Sequence, residues 1–467
     1  MRLIGGNISD TPVKEVGDGS AFNVGGGGGG TPALHTLGSW GAAQGPISAT
    51  GWEDGSSNGS GLHLGGFGAS KDYCLMHGGA TYVMAHLRDS DDEVYLGTIP
   101  ISGGTLGTPT AAQDMSGDFD NPTSGSIIVL ADPSDSDVII VCMFSARSTH
   151  KCQIAAYTES GGTFSKVSSV ITHNMATNAV AALSGHCMQL HPTDGNSGAI
   201  ICVDNSSTNN LVCIPFNHST NAKFGNAVAS GVTQTVGIQT SMMMGATEIL
   251  ACCGLNRWLE WTLTAGSTPS VVFAEDHSGV NLAADWNTNE PEPKRPNHEG
   301  NYLIQLDEPG DFGQCAKLGA VAFPRTFSGV TDGVHELTST HLGAASYQDY
   351  KIFHKPSPLT RPHNDMSRYI KIDEVAGWCR GFIISCGAWA SDRYTPTAIY
   401  AMNVHIESGG VITSETITTT TNIQPQNVYG GNMHCFYSAP YITVMCEDAD
   451  STTSADQYAS IEVILAD

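Results

Sequence analysis

Ser126–Thr172 reads SIIVLADPSDSDVIIVCMFSARSTHKCQIAAYTESGGTFSKVSSVIT. Apolar runs alternate here with turn chemistry. Ser126–Ala131 predicts a strand and Pro133-Ser-Asp-Ser-Asp137 a turn. Val138–Phe144 is apolar without a break, which predicts a strand buried on both faces. Arg147-Ser-Thr-His150 reads as a turn, Cys152–Tyr157 as a strand, Gly161-Gly162 as a turn and Phe164–Thr172 as a fourth strand. Paired glycines supply the positive φ angles that a two-residue hairpin needs. Four antiparallel strands in about 60 residues fit one blade of a β-propeller.

The same pattern recurs along the chain. Short apolar runs end in a small residue at Ala85, Cys142, Cys202, Cys252, Ala322, Cys386 and Cys446. Their spacings are 57, 60, 50, 70, 64 and 60 residues, which makes seven copies. A polar or glycine turn follows most of them, at Gly103-Gly104, Gly161-Gly162, Ser219-Thr220, Gly266 and Gly409-Gly410. The small residue is expected where neighbouring sheets crowd together. The fold class predicted is therefore all-β, a single β-propeller domain over residues 1–467 with seven four-stranded blades. Six or eight blades, and a pair of stacked β-sandwiches, stay open as alternatives.

The ends of the chain fit closure of such a ring. Met433–Tyr437, Tyr441–Cys446 and Ala459–Leu465 give the last copy only three strands. Residues 1–40 form the N-terminal segment, with a strand expected at Ala21–Val24 and the glycine run Gly25–Gly30 after it. Thr31-Pro-Ala-Leu-His-Thr36 is expected to supply the missing outer strand of the last blade. Two proline-rich polar insertions, 276–300 and 348–366, interrupt the repeat. Eleven of the twenty Lys and Arg residues lie between Lys294 and Arg393. Long loops on a rigid scaffold carry function, so Lys294, Arg295, His354, Lys355, Arg361 and His363 are the candidate interaction residues.

Composition bounds the function. Charged residues make up 14% of the chain, against about 25% in an average soluble protein. Glycine accounts for 54 of 467 residues, well above the usual share of about 7%. Helix-forming Glu and Lys are scarce, which argues against helical bundles. The net charge of −25 disfavours nucleic acid and anionic membrane as partners. The start, MRLIGGNISDTPVKEVG, lacks the apolar core of a signal peptide, and no apolar window is long enough for a membrane-spanning helix. Thirteen cysteines occur without zinc spacing and are expected to be buried thiols.

No catalytic motif emerges. The chain has no GxSxG elbow, HExxH or P-loop. Cys379 and Cys386 stand near Trp378 and Arg380, but no histidine pairs with them by spacing. Calcium is the one cofactor the pattern leaves open. Asp54-x-Ser56-x-Asn58-Gly59 resembles the front of a calcium loop, but Gly65 stands where a bidentate Glu belongs. The clusters Asp89/Asp91/Asp92, Asp132/Asp135/Asp137 and Glu447/Asp448/Asp450 read as solvated hairpin turns. His186 and His191 are expected on opposite faces of one strand. Glycoside hydrolysis needs two carboxylates at defined separation. A sialidase-like site would add converging arginines, for which Arg257, Arg325, Arg361, Arg380 and Arg393 are the candidates, yet the Ser-x-Asp-x-Gly-x-x-Trp box is absent. Sugar stacking would fall to Trp40, Trp52, Trp258, Trp261, Trp286, Trp378 or Trp389, most of which read more simply as core.

In style the whole chain resembles the β-propeller virion proteins of tailed bacteriophages. The likeness lies in Gly/Ser/Thr/Asn-rich turns, few charges, unpaired cysteines, no export signal and blades without a WD or kelch signature. It carries no motif and transfers no site residues. It implies a non-enzymatic structural component of a tail, tail tip, fibre or capsid appendage. Such a protein is made in the host cytoplasm and resides in the virion. Its partners are copies of itself, other virion proteins and a host-surface glycan or receptor. A propeller lectin or a glycoside hydrolase is the alternative.

Overall fold

In the computed structural model the described residues are 32–41, 70–76, 81–88, 93–119, 126–145, 151–175, 187–191, 194–204, 210–219, 221–233, 238–244, 247–253, 257–278, 302–305, 314–317, 334–336, 367–375, 378–386, 393–394, 396–406, 412–419, 428–429, 433–446 and 457–466. Among them every regular element is a β-strand, as the glycine-rich, Glu- and Lys-poor composition dictates. No helix long and apolar enough to cross a membrane occurs among these residues.

The strands group into small antiparallel sheets that follow one another along the chain. After β1 (Thr36–Trp40), the first sheet holds β2 (Ser70–Leu75), β3 (Thr81–Arg88), β4 (Glu93–Ser102), β5 (Thr105–Leu106) and β6 (Gln113–Asp114). The second holds β7 (Ser126–Ala131), β8 (Val138–Ser145), β9 (Lys151–Ser160), β10 (Thr163–Lys166) and β11 (Ile171–Asn174). The third holds β12 (Cys187–Leu190), β13 (Ser197–Asp204), β14 (Asn210–Asn217), β15 (Lys223–Phe224) and β16 (Val228–Thr233). The fourth is β17 (Ile238–Met244), β18 (Glu248–Cys253), β19 (Arg257–Thr264) and β20 (Ser270–Ser278). A three-stranded fifth sheet contains β21 (Tyr302–Gln305), β22 (Gln314–Lys317) and β23 (Val334–Glu336). The sixth is built from β24 (Ser367–Val375) and β25 (Trp378–Cys386), followed, after the short β26 (Arg393–Tyr394), by β27 (Pro396–Ile406) and β28 (Ile412–Thr419). Among the described residues β26 pairs with β29 (Val428–Tyr429). The last sheet combines β30 (Met433–Ser438), β31 (Tyr441–Cys446) and β32 (Gln457–Ile464) with β1 from the other end of the chain.

Most sheets consecutive in the chain are in contact. β2 lies against β7, β12 against both β7 and β17, β22 against β28, β24 against β30, and β32 against β5. The closing sheet thus touches both the sixth sheet and the first. Tyr458 donates to the Leu106 carbonyl at 2.8 Å across the latter contact.

Burial follows the strand period. In β8 every residue is buried. Ile139, Val141 and Met143 enter the core shared with the first sheet, while Ile140, Cys142 and Phe144 enter the core shared with the third. Each large side chain buried in this way contributes about 1.5–3 kcal/mol. The polar links between sheets are equally specific. The Gln113 side-chain amide donates to the Phe164 carbonyl at 2.9 Å and accepts its N–H at 2.8 Å, imitating a strand backbone. Tyr157 donates to Asp118 at 2.8 Å, and Lys166 pairs with the same carboxylate.

Several expectations are refined. Gly161 and Gly162, at φ 59° and 88°, form the anticipated two-residue turn between Ser160 and Thr163. The strand beyond it is not continuous over Phe164–Thr172. Lys166 pairs with Tyr157 and Ile171 with Ile154, so four residues of the outer strand oppose two of β9 and the ladder bulges. The small residues are not equivalent either. Ala85 and Cys142 point from their own sheets toward the next one, whereas Cys202 points back toward the second sheet. Cys202 stands one residue further from its hairpin than Cys142 does, and a one-residue slip reverses the face. The outer strand of the closing sheet begins at Thr36 rather than at Thr31. The insertion expected at 276 starts later, because β20 runs on through Ser278. Leu318–Ala322 lies outside the described residues, as do Ala21–Val24 and 348–366.

Candidate functional site

In an antiparallel meander the first and third hairpin turns of each sheet lie on one edge. That edge gathers the β7–β8 turn, the β12–β13 turn, the residues after β14 and the β19–β20 turn. Buried polar side chains concentrate there. Asp132 and His218 are each 2% exposed, and Ser197 is fully buried.

The network begins at Asp132. Its Oδ1 accepts both the backbone N–H and the hydroxyl of Ser134, each at 2.7 Å. Ser134 Oγ then accepts the Gly195 N–H at 3.1 Å, joining the second sheet to the third. Gly195 sits so close to Asp132 that a Cβ there would fall 1.6 Å from Oδ1, so only glycine fits. His218 Nε2 donates to the Gly195 carbonyl at 2.6 Å and stands 3.9 Å from Asp132 Oδ2. His191 Nδ1 accepts the Asp194 N–H at 2.9 Å. Ser197 Oγ donates to Asp194 at 3.0 Å, and accepts from Asn217 Nδ2 at 3.2 Å and from the Gly266 N–H at 2.9 Å, which reaches the fourth sheet. Three sheets are thereby stapled along one edge.

Electrostatics match this geometry. Burial lowers the pKa of His218 from its ordinary value, against the opposing pull of the Gly195 carbonyl and of Asp132. Burial likewise lowers His191, opposed by Asp194. Both imidazoles are held neutral, and His218 carries its proton on Nε2. Its Nδ1 is buried and meets no donor among the described residues.

The residue types of a nucleophilic relay are present, but not its geometry. The Ser197 hydroxyl donates to a carboxylate rather than to an imidazole, and His218 is committed to a carbonyl. The aspartates of the β7–β8 turn satisfy their own turn. Asp135 accepts the Asp137 N–H at 3.0 Å, and Asp137 accepts the Ser136 hydroxyl at 3.1 Å. Asp132 is no solvated turn residue, contrary to the sequence reading. Among the described residues no group of three or more His, Cys, Asp or Glu side chains could hold a metal ion.

Lys294, Arg295, His354, Lys355, Arg361 and His363 lie outside the described residues. So do 54–65, 89–92 and 447–450, together with His186, Arg325, Trp52, Trp286 and Trp389. Arg257 and Arg393 begin β19 and β26, and Cys379 and Cys386 sit on β25. Arg380 is buried and paired with Asp373. Trp261 is fully buried in the core between the third and fourth sheets, with the Phe273 ring 5.5 Å away edge-on. Cys74, Cys142, Cys152, Cys202 and Cys213 are buried thiols, the Sγ atoms of Cys142 and Cys152 lying 3.6 Å apart. Sequence reasoning missed Gly195, Ser197, Asn217 and His218. Asn217-His218-Ser219 directly after an apolar strand was the available signal.

No family model matches the chain, and no curated protein matches it. Solved structures with some likeness include the BP39L lectin from Burkholderia pseudomallei, at 9% identity and a TM-score of 0.43, covering 86% of this chain and 97% of that one. Another is the WD40 domain of SCAP from fission yeast, at 7% identity and a TM-score of 0.35, covering 84% of this chain and 94% of that one. At such values neither likeness bears on ligand or activity.

Proposed function

We propose that the chain is a seven-bladed β-propeller serving as a non-catalytic structural platform, in the manner of a tailed-phage virion component. The observation that carries this reading is the use made of the buried polar side chains. Asp132, Asp194, Ser197, Asn217 and His218 hold sheets to one another. Contacts from the first sheet through the fourth, from the fifth through the last and from the last back to the first, with the last completed by a strand from the other end of the chain, support the ring. Compositional style supports the virion setting. In this reading residues 279–300 and 348–366, with Lys294, Arg295, His354, Lys355, Arg361 and His363, contact copies of the chain, other virion proteins or a host surface.

Light scattering on the purified chain, followed by glycan binding and turnover assays, tests the proposal. A discrete multiple of 49.0 kDa without turnover is expected. Turnover of a glycan would overturn the non-catalytic reading. A strict monomer that binds glycan would replace the platform with a lectin.

A further inference from the structure

The two ends of the chain meet around one side chain. Arg380 on β25, 4% exposed, faces Asp373 on β24. Its Nε donates to Asp373 Oδ1 at 2.8 Å and its Nη2 to Oδ2 at 2.6 Å, a two-pronged pairing. Its Nη1 donates to the carbonyls of Ala33 and Ala466, each at 3.1 Å. Ala33 precedes β1, and Ala466 follows β32. His35, 2% exposed, places Nε2 3.1 Å from Asp373 Oδ1, while its Nδ1 accepts the Ala466 N–H at 2.9 Å. A neutral imidazole protonated at Nε2 satisfies both partners. Burial alone would raise the Asp373 pKa, but hydrogen bonds from His35 and Arg380 bring it down to about 2.

The surroundings of β1 are those of a docked peptide. Among the described residues β1 pairs with β32, through a register that shifts between Leu37 and Trp40. Every contact described for residues 33–41 is to the sixth or the closing sheet: Arg380, Asp373, Ala466, β32 and, through the Gly41 N–H at 2.8 Å, the Ser460 carbonyl. The acceptor side therefore lies in the sixth and closing sheets. It offers a strand edge, a guanidinium for a carbonyl, and a buried place that reads an imidazole from both ring nitrogens. Residues 42–69 separate this segment from β2. A connection of that length spans up to about 95 Å when extended.

We propose that the edge of β32, with Arg380 and Asp373, is a strand-acceptor site for the segment 33–41 that takes this segment from its own chain or from a second copy. The mode is strand addition with one anchoring side chain, His35. Covalent connection favours the chain's own strand in dilute solution, so exchange between copies gains as the protein concentration rises, as it would inside a multi-copy assembly. The inference rests on the geometry of this seam and not on the virion reading.

Thr36 and Ile464 are directly paired, and both are exposed. Three samples of the full chain, each refolded and mildly oxidised, decide the matter: the double variant Thr36→Cys/Ile464→Cys, an equimolar mixture of the two single variants, and that mixture with His35→Ala added to the Thr36→Cys chain. Linked peptides are read by mass spectrometry. The dilute double variant is expected to link within one chain, which also shows that the sheet has formed. The mixture is expected to link between chains, by a fraction that rises at least fivefold from about 10 μM to about 1 mM and falls severalfold with His35→Ala. Intramolecular linkage in the double variant with none in the mixture at any concentration would overturn exchange. Linkage in the mixture that ignores His35 would overturn the assignment of the anchor.

Discussion

The contact between the second and third sheets and the seam between the closing and sixth sheets do the same job by different means. The first is sealed chiefly by apolar burial, with the Ser134–Gly195 link confined to one edge. Ile128, Ile140, Cys142, Phe144, Cys152 and Ile154 meet Met188, Ile200, Cys202, Ile214 and Phe216. At the seam, a guanidinium, a carboxylate and an imidazole hold two backbone ends, while Ile464 and Leu465 next to the clasp stay more than half exposed. Sheets consecutive in the chain can rely on non-directional burial, because their order is fixed by connectivity. Ends that come from opposite termini need directional bonds to select the right register.

Four substitutions or conditions would break or sharpen that contrast. Phe144→Ala empties a fully buried site between sheets and is expected to cost about 3–5 kcal/mol in a urea titration. Gly195→Ala forces Asp132 away from the edge network and is expected to cost about 2–4 kcal/mol, with His218 regaining a more ordinary titration by NMR. Arg380→Ala takes this donor from two carbonyls and two hydrogen bonds from Asp373, which keeps the one from His35. The expected cost is about 1–3 kcal/mol, with the loss of protection confined to residues 33–41 and 457–466 in hydrogen exchange, and Arg380→Lys should fall between it and the parent.

The mildest perturbation is pH. His218 and His191 have folded pKa values below their unfolded ones, so the unfolded chain binds more protons once the pH drops under about 6.5. Stability is therefore complete above that pH and declines below it, by at most about 1.4 kcal/mol per pH unit for each histidine. Asp373 acts in a lower window, its contribution being present above about 3.8 and lost as the pH falls toward 2. Melts from pH 7.5 to 5 check the first decline, and His218→Gln should flatten it.

The legible part of this molecule was its periodic part. Val138–Phe144 announces a doubly buried strand because apolar residues fill both faces between two turns, and Gly161-Gly162 announces a hairpin because few other pairs tolerate two positive φ angles. Facing was illegible at Cys202, since a one-residue slip leaves the composition of the run unchanged while reversing every side chain. Asp132 looked like an ordinary turn aspartate because the groups that bury it, Gly195 and His218, come from the next sheet. The clasp left no local trace at all. His35 and Asp373 are 338 residues apart, and no spacing rule links them.

Native-state hydrogen exchange on the intact chain tests the central claim most directly, namely that both ends complete one sheet. The amides of Thr36–Gly41 that bond to β32, and those of Gln457–Ile464, should exchange far more slowly than an open chain. Exchange of Thr36–Gly41 at the rate of an open chain, beside a protected β8, would contradict closure by the two termini.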